Sequence, residues 1–231
     1  MWRNDIINYL IKTKKFKNYL EIGVRIPDEC FNKIECPTKH SVDPGHEKYY
    51  DPKIAEEYHK ITYKFTSDKF FELLDMGSLD LNKDYKWDII FIDGLHLAEQ
   101  VEKDILNSLN HLSPSGIIVV HDINPATIHT AREDYQYKVS TNQFDKVTYG
   151  FNLGYWNGTV WKTFYKMRVT RPDLEMYSVN TEDMGVGIIK KGSQKCCEFD
   201  NPFYEFNKFA AKRNYYLNLI TIEEFLTKEK C

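Results

Sequence analysis

Two apolar runs, each ending in an acid and a histidine, constrain the fold of this chain most. The first run, residues 88–92, stops at the motif D-G-L-H (93–96), and the second, residues 116–120, stops at H-D (121–122). The amphipathic stripe of residues 97–112 predicts one helix between them. Because ligands of open α/β sheets bind at the carboxyl ends of the strands, both acid and histidine pairs are expected at one site.

The remaining elements extend this strand–helix–strand unit into an α/β sheet. Strands alternate with helices over short connections, which predicts a mostly parallel, Rossmann-like doubly wound sheet with helices on both faces. The last two predicted strands, 175–179 and 185–190, are too close in sequence for a parallel crossover and should form an antiparallel hairpin. The earlier elements are predicted as helices 3–15, 28–35, 52–60 and 67–74, the last capped by Ser67 or Asp68, and strands 19–23, 39–44 and 61–65, with a turn at 113–116.

We predict a single domain over residues 1–231. Its core covers about 17–192, and the aromatic, irregular stretch of about 125–165 is expected to be an insertion over the acceptor side of the site. Residues 198–231 are expected to form a helical C-terminal extension.

Composition excludes several classes of protein. The net charge of −3 gives no broad positive field for nucleic acid or anionic membranes. No apolar run approaches the roughly 20 residues that span a bilayer, and the N-terminus lacks a signal-peptide core. Five cysteines form neither a disulfide framework nor a zinc spacing, which favours a reducing, cytoplasmic compartment. The oligomeric state stays open, a homo-oligomer included.

The first two strands predict a nucleoside-type ligand. Gly23 follows the first strand and lets the backbone approach a ligand closely. Asp43 follows Glu21 by 22 residues, close to the roughly 20 expected for an acid that binds ribose hydroxyls. The dinucleotide fingerprint G-x-G-x-x-G is absent, and Pro27 stands where a second glycine would be expected. A nucleoside without a pyrophosphate is favoured over a dinucleotide, and a protein without a cofactor remains open.

Several of these motifs together resemble class I S-adenosylmethionine-dependent methyltransferases. They are E-I-G after the first strand, V-D-P after the second, T-S-D after the third, and I-D-G-L-H and H-D after the next two. The block from W-D-I-I-F-I-D-G to G-I-I-V-V-H-D-I-N-P, with W-N-G-T-V-W-K and G-V-G-I-I-K-K-G, is similar to a subgroup of small-molecule and sugar O-methyltransferases. The resemblance covers about residues 17–192.

This resemblance implies S-adenosyl-L-methionine as the cofactor and assigns binding residues. It places Glu21 and Gly23 beside the methionine part, Asp43 at the ribose, Ser67 and Asp68 at the adenine edge, and Asp93 beneath the reacting methyl group. The alternative for Glu21 and Asp43 is strand-end solvation or helix capping.

Methyl transfer to a hydroxyl requires an aligned oxygen and an acceptor for its proton. Histidine suits that role near neutral pH, so His96 and His121 are candidates beside Asp93. His121 is favoured because it adjoins Asp122. A structural, hydrogen-bonded histidine is the alternative at both positions.

A divalent metal is the other way to activate a hydroxyl. Asp93 and Asp122 end adjacent strands, and two carboxylates that close favour a cation between them. Such oxygen ligands suit Mg²⁺. Metal-dependent catechol O-methyltransferases resemble this pattern, but their next asparagine is replaced here by Ile123. The third ligand would be Asn124 or His96.

The aromatic segment 149–161 is expected to shape the acceptor pocket. Trp156 and Trp161 would stack on a sugar or an aromatic ring, or else pack the insertion onto the sheet. The favoured function is methylation of a hydroxyl of a small acceptor, with a sugar of a glycan suggested by the subgroup resemblance. A phenolic or natural-product acceptor is the alternative, and a non-catalytic nucleoside-binding partner subunit is the alternative of another class.

Overall fold

The computed structural model describes residues 1–45, 52–133 and 156–230. The helices are α1 (Arg3–Lys14), α2 (Pro52–Glu57), α3 (Ser67–Asp75), α4 (Ala98–Asn110), α5 (Val160–Thr170), α6 (Phe206–Ala211), α7 (Arg213–Leu217) and α8 (Ile222–Glu229). The strands are β1 (Asn18–Ile22), β2 (Thr38–Val42), β3 (Trp87–Ile92), β4 (Leu112–Val120), β5 (Leu174–Val179), β6 (Val186–Lys191) and β7 (Leu219–Ile220). Short 3-10 helices at Pro27–Glu29 and Phe31–Lys33 replace the helix predicted over 28–35, and another at Tyr58–Lys60 follows α2.

The strands form one sheet in the order β2-β1-β3-β4-β6-β5-β7. β2, β1, β3 and β4 run parallel, and β6 lies antiparallel between β4 and β5. This arrangement confirms the predicted mostly parallel sheet with an antiparallel closing hairpin. The register pairs Ile92 with Val120, so the ends of β3 and β4 lie side by side.

Both faces of the sheet are covered by apolar side chains that alternate along the strands. Ile89 and Phe91 of β3 pack on the face covered by α1 and α8. Ile90 and Ile92 pack on the other face, which α3, α4, α5, α6 and α7 cover. A sheet buried on both sides explains why β3 and β4 read as continuous apolar runs.

The predicted strand at 61–65 is not formed. Within the described residues, its ladder contact is one parallel bridge between Val42 and Tyr63. Side-chain hydroxyls occupy the neighbouring positions, since the Thr62 amide donates to Ser41 Oγ at 2.9 Å and the Ser41 amide donates to Thr62 Oγ1 at 3.3 Å. Such side-chain bonds compete with a regular ladder, which limits pairing here to a single bridge.

Two predicted local boundaries also differ from the structure. Residues 113–116 lie inside β4 instead of forming a turn, and the register shift between Trp87 and Ile89 accommodates them opposite β3. The N-cap of α3 is Thr66, whose hydroxyl accepts from the Lys69 amide, and not Ser67 or Asp68.

The predicted insertion and extension contain regular elements. Residues 134–155 of the insertion lie outside the described residues, while its last part begins α5, in which Trp161 is buried against Phe209 with ring centroids 4.3 Å apart. The C-terminal extension adds α6, α7, α8 and the short strand β7, which pairs parallel with β5. The single-domain boundaries stay a prediction.

Among the described residues, no helix is long and apolar enough to cross a bilayer. The described cysteines, Cys30, Cys36, Cys196 and Cys197, are free thiols. The compartment stays a prediction.

Candidate active site

The ends of β3 and β4 bring four polar side chains into one cluster, Asp93, His96, His121 and Asp122. Asp93 follows β3, and His121 and Asp122 follow β4, with the His121 amide bonded to the Ile92 carbonyl at 3.0 Å. His96 reaches back from the loop after β3. The sequence prediction that these residues meet at one edge is met by the geometry.

His121 lies between three carboxylates, those of Asp93, Asp122 and Asp183. Its Nδ1 is 3.1 Å from both Asp93 Oδ1 and Asp122 Oδ2. Its Nε2 is 3.1 Å from the Asp183 carbonyl oxygen and 3.2 Å from Asp183 Oδ1. Every one of these partners is an acceptor, so both ring nitrogens donate, and the side chain is only 3% exposed.

The choice of His121 over His96 as the base stays a prediction, although the surroundings of His121 weigh against it. A general base needs a nitrogen lone pair within reach of the proton that it takes. Both nitrogens of His121 face protein acceptors, as both nitrogens of His96 do, but the His121 side chain is only 3% exposed, against 19% for His96. The physical reason is the third acid, Asp183, which the sequence analysis did not connect with this edge.

The charges of the cluster stabilise one another. Burial alone would lower the pKa of His121, but the carboxylates of Asp122 and Asp93 outweigh burial and raise it well above its usual value. Burial also opposes the rise of the His96 pKa, which Asp122 and Asp93 nevertheless produce. Burial would raise the pKa of Asp93, yet the charge and hydrogen bond of His121 hold it well below its usual range.

His96 is the more accessible histidine, with 19% of its side chain exposed. Its Nε2 lies 3.4 Å from Asp93 Oδ1 and 3.2 Å from Asp122 Oδ2. One donor atom each from Asp93, His96 and Asp122 lies within 4.8 Å of the others, a spacing that could hold a metal ion. Asn124 is directed elsewhere, because its Oδ1 accepts from Arg213 Nη1 at 2.5 Å.

Two residues of this site were missed by the sequence analysis. Arg3, at the start of α1, bonds Asp183 through its amide at 2.8 Å and through Nη1 at 2.9 Å. Its Nε lies 3.6 Å from Asp93 Oδ2. Arg3 and Asp183 are 180 residues apart, so no local pattern could have indicated the pair. The position of Asp183 in the short hairpin loop next to β4 was the available signal.

The glycine loop after β1 packs directly against the loop after β3. Gly23 has a φ of +83°, and a Cβ there would come within 2.2 Å of Gly94 Cα and 2.4 Å of the Asp93 carbonyl oxygen. Only glycine allows this contact without strain. The predicted cofactor loop is therefore next to the strand-end cluster.

Asp43 is engaged by the backbone of that loop. Its Oδ2 accepts from the amides of Val24 and Arg25 at 2.9 and 2.8 Å, and its Oδ1 accepts from the Gly45 amide at 2.6 Å. The carboxylate thus holds the loop in place. Because a carboxylate oxygen has two lone pairs, Oδ1 can accept one further donor.

Glu21 is buried beneath the edge. Its Oε2 accepts from the Tyr19 hydroxyl at 2.5 Å. Burial raises the pKa of Glu21 to about 8, with the Asp93 charge in the same direction and the Tyr19 bond opposing them. The side chain therefore serves as a largely neutral hydrogen-bonding group at neutral pH.

Ser67 and Asp68 lie at the start of α3, joined to α4. Gln100 Nε2 donates to Ser67 Oγ at 3.2 Å, to Asp68 Oδ1 at 2.9 Å and to Asp104 Oδ1 at 3.0 Å. Sequence analysis named the first two residues and missed Gln100, which follows D-G-L-H by one helical turn.

Comparison with known proteins identifies the central part of this architecture. The profile of a family described as a methyltransferase domain matches residues 31–123, which include Asp43, Ser67, Asp93 and Asp122. Residues 31–123 are therefore similar to a methyltransferase domain. No curated protein sequence matches it significantly.

Solved structures resemble this chain over most of its length. A Klebsiella pneumoniae protein described as an O-methyltransferase is 14% identical over 84% of this chain and 82% of that chain, with a TM-score of 0.50. The O-methyltransferase TomG from Streptomyces achromogenes, in complex with S-adenosylmethionine, is 12% identical over 83% and 80% of the two chains, with a TM-score of 0.49. An O-methyltransferase from Bacillus cereus with bound S-adenosylhomocysteine is 13% identical over 82% and 80%, with a TM-score of 0.49. The Klebsiella structure confirms the Rossmann-like fold of this chain.

Proposed function

We propose that this protein uses S-adenosyl-L-methionine to methylate a hydroxyl group of a small acceptor. The observation that carries the proposal is the convergence of Asp93, His96 and Asp122 next to the Gly23 loop, at the carboxyl edge of a methyltransferase fold. A glycine cradle for the cofactor and a group of proton acceptors for a hydroxyl are the two parts that O-methylation requires.

The donor set around the Gly23 loop fits a nucleoside cofactor. In the proposal, Asp43 Oδ1 binds a ribose hydroxyl while Oδ2 keeps the loop closed. Glu21 and Gly23 line the methionine end, and Ser67, Asp68 and Gln100 form the adenine edge. When bound, S-adenosylmethionine supplies an activated methyl group on a sulfonium.

The residues of the chain then have to orient the acceptor and take its proton. Without a metal, we assign proton transfer to His96 and Asp93, which are the accessible members of the cluster; with a cation bound, the same donor atoms would be its ligands. His121 instead holds Asp93 and Asp122 in position through Nδ1, while Asp183 fixes its Nε2 side. Any activity that depends on His121 would come from this placement.

A divalent cation fits the three donor atoms of Asp93, His96 and Asp122. Two carboxylate oxygens suit Mg²⁺, while an imidazole also suits Mn²⁺ and other transition metals. A cation there would acidify the acceptor hydroxyl. The Asn124 alternative is disfavoured because its oxygen is held by Arg213.

The acceptor class is the finest part of the proposal. A sugar of a glycan is supported by the subgroup that the sequence resembles, and a phenolic or natural-product hydroxyl is the alternative. A panel of monosaccharides, oligosaccharides, catechols and hydroxylated polyketides, assayed with methyl-labelled S-adenosylmethionine, would separate the classes. Turnover of phenols without turnover of any sugar would contradict the sugar assignment.

Binding and turnover should be measured in the same preparation. We expect calorimetric binding of S-adenosylhomocysteine. Chelation should abolish methyl transfer, and Mg²⁺ or Mn²⁺ restore it, if a cation activates the hydroxyl, and should leave transfer unchanged if His96 is the base. Binding without transfer to any acceptor would support the non-catalytic partner subunit, although that class is expected to lose the acids that this edge retains. Light scattering of the sample would test the homo-oligomer.

The ribose assignment has a direct test in Asp43→Ala. We expect binding of S-adenosylhomocysteine to weaken by about 1.5–3 kcal/mol, because a charge-assisted hydrogen bond is lost. Titration with the 2′-deoxy and 3′-deoxy analogues separates ribose binding from loop anchoring. The wild type should discriminate against at least one analogue and the variant should not. Equal discrimination by both proteins would leave Asp43 as a loop anchor only.

A further inference from the structure

The segment Trp156–Thr159, which reads W-N-G-T, contacts the candidate site at every residue. We infer that this segment is a positioning element that fixes the His96 ring and the Asp122 carboxylate. The inference rests on the proposed function for what those two side chains do. It concerns how they are held, and it adds Trp156, Asn157 and Gly158 to the residues on which the site depends.

Trp156 sets the orientation of His96 in two ways. The two rings stack with centroids 5.0 Å apart and planes inclined by 24°. His96 Nδ1 lies 2.9 Å from the Trp156 carbonyl oxygen. A carbonyl only accepts, so Nδ1 carries the hydrogen and Nε2 is presented to Asp93 and Asp122. The indole is itself held, since its Nε1 donates to the Arg132 carbonyl at 2.7 Å.

Asn157 sets the orientation of Asp122. The Asn157 side chain is buried, and its Nδ2 lies 3.2 Å from Asp122 Oδ1 and 3.3 Å from the Asp122 carbonyl oxygen. The same nitrogen lies 3.3 Å from the Met184 carbonyl oxygen. With Oδ1 engaged by an amide, Oδ2 of Asp122 is the oxygen that faces His96 and His121.

Gly158 and Thr159 fasten the segment to the loop that carries His96. Gly158 has a φ of +61°, and a Cβ there would lie 2.1 Å from the His96 carbonyl oxygen. The Thr159 amide donates to that same carbonyl at 2.8 Å, and Thr159 Oγ1 accepts from the Ala98 amide at 2.8 Å. The Thr159 hydroxyl therefore also supplies a hydrogen-bond acceptor for an amide in the first turn of α4, which has no partner inside the helix.

Groups that orient a metal ligand or a catalytic imidazole control how well it works. Loss of such a hydrogen-bond partner lowers metal affinity by about 10- to 100-fold in characterised metal sites. The segment therefore predicts effects on the site from residues that need not touch the cofactor or the acceptor.

The Asn157 part is tested by Asn157→Ala with Asn201→Ala as the matched control. Asn201 is equally buried, but its side chain bonds only the Glu205 backbone in the C-terminal extension. Calorimetry with Mn²⁺ alone should show about 10- to 100-fold weaker binding in Asn157→Ala and unchanged binding in Asn201→Ala. Titration with S-adenosylhomocysteine should give wild-type affinity in both variants. Wild-type Mn²⁺ affinity in Asn157→Ala would overturn this part.

The Trp156 part is tested by Gly158→Ala, with Gly77→Ala as the matched control. Both glycines have a similar positive φ, but a Cβ at Gly77 meets nothing within 4 Å. The alanine at 158 should push the segment away from His96 and break the bond to the Trp156 carbonyl. Imidazole ¹⁵N spectra should then show loss of the fixed Nδ1–H form of His96 in Gly158→Ala and not in Gly77→Ala. One His96 tautomer in all three proteins would overturn this part.

The outcomes also separate this inference from the proposed function. If the wild type binds no Mn²⁺, the metal part of the proposed function fails, and the imidazole spectra of all four variants decide the positioning role. Changes confined to Asn157→Ala and Gly158→Ala then support it, and spectra equal to wild type overturn it. If Mn²⁺ binds but S-adenosylhomocysteine does not, the cofactor assignment fails. The comparison of each variant with its control then still tests the positioning role.

Discussion

Two buried networks of acids and cations lie at opposite edges of the sheet, and they differ in composition. At the carboxyl edge, Asp93, Asp122 and Asp183 converge on His121 and Arg3. At the other edge, the single carboxylate of Glu229 forms ion pairs with Lys14 and Lys190 and accepts a hydrogen bond from the Tyr177 hydroxyl. Helix α1 belongs to both networks, since Arg3 is at its first turn and Lys14 at its last. Acids crowd the first network and cations crowd the second.

This difference separates an edge suited to chemistry from one suited to stability. Crowded carboxylates repel one another unless cations or protons intervene, so the first network stays poised to take up a positive charge. A lone buried carboxylate with two lysines is already compensated. Four predictions test this contrast, from the largest expected effect to the smallest.

Asp122→Asn should affect activity most. Asp122 contacts His96, so without this carboxylate the contribution of His96 to proton transfer, about 10²–10⁴-fold, should be largely lost, and Mn²⁺ binding should weaken. The protein should still fold, because asparagine tolerates the left-handed backbone at this position, where φ is +62°.

Single-turnover methyl transfer checks this prediction. The control is Asp88→Asn, at the opposite end of β3, where the carboxylate accepts from the backbone of Lys17 and Asn18. Wild-type turnover in Asp122→Asn would show that the acids of the carboxyl edge are structural after all.

Glu229→Gln should reduce stability and leave ligand binding unchanged. Removing the charge leaves two lysines and a tyrosine around a neutral amide, and we expect the free energy of unfolding to fall by about 2–3 kcal/mol, below the full cost of breaking a fully buried pair because both lysines are partly exposed. Urea denaturation measures this.

Glu175→Gln is the control for Glu229→Gln. Glu175 is 34% exposed, so its ion pairs with Lys190 and Lys228 should contribute at most about 1 kcal/mol. Equal losses in the two variants would mean that burial at Glu229 adds nothing.

The Glu229 contribution should also disappear in acid. Burial would raise its pKa, but the bonds from Lys190 and Tyr177 outweigh burial and lower it. A depressed folded pKa stabilises the protein above the unfolded pKa of about 4.3, and this contribution is lost as the pH falls through the folded value. The difference between wild type and Glu229→Gln should therefore be constant from pH 6 to 8 and shrink below about pH 4. A difference independent of pH would contradict the charge argument.

Asp104→Asn should give the smallest effect, with the opposite sign. Asp104 on α4 is buried with neutral hydrogen-bond partners, and burial raises its pKa to about 6. Because the folded pKa lies above the unfolded one, stability falls as the pH rises from about 4 through 6. The variant should abolish this fall and be about 1–2 kcal/mol more stable than wild type at pH 7.5. Thermal denaturation at pH 5 and 7.5 checks both values, and a less stable variant at pH 7.5 would contradict the prediction.

The sequence predicts the elements whose hydrophobic pattern is strong and local. The apolar runs before Asp93 and His121 locate β3 and β4, and the short hairpin loop predicts the antiparallel strand. The strand at 61–65 fails because Ser41 and Thr62 side chains replace ladder bonds, a competition that residue periodicity does not record. Helix α5 was not predicted, because its first residues were assigned to the aromatic, irregular insertion.

The sequence predicts where the candidate site lies but not which side chains contact one another within it. Strand ends reveal which acids and histidines share an edge. They do not reveal Arg3 and Asp183, which come from distant parts of the chain. Asp183 contacts Nε2 of His121, and Arg3 bonds Asp183, through contacts made only on folding. That is why the surroundings of His121 could not be predicted from the sequence.

The left-handed backbone of Asp122 narrows which amino acids can occupy that position. A side chain with a branched or bulky Cβ is strained at a φ of +62°, whereas glycine, asparagine and aspartate adopt it readily. Among these three, only aspartate supplies a carboxylate to His96 and His121. In a library of all substitutions at position 122, selection for folding and selection for activity would therefore exclude different residues. Selection for folding would favour residues that tolerate a positive φ, and selection for activity would favour aspartate, so the tolerance profile of this single position would report backbone geometry and chemistry separately.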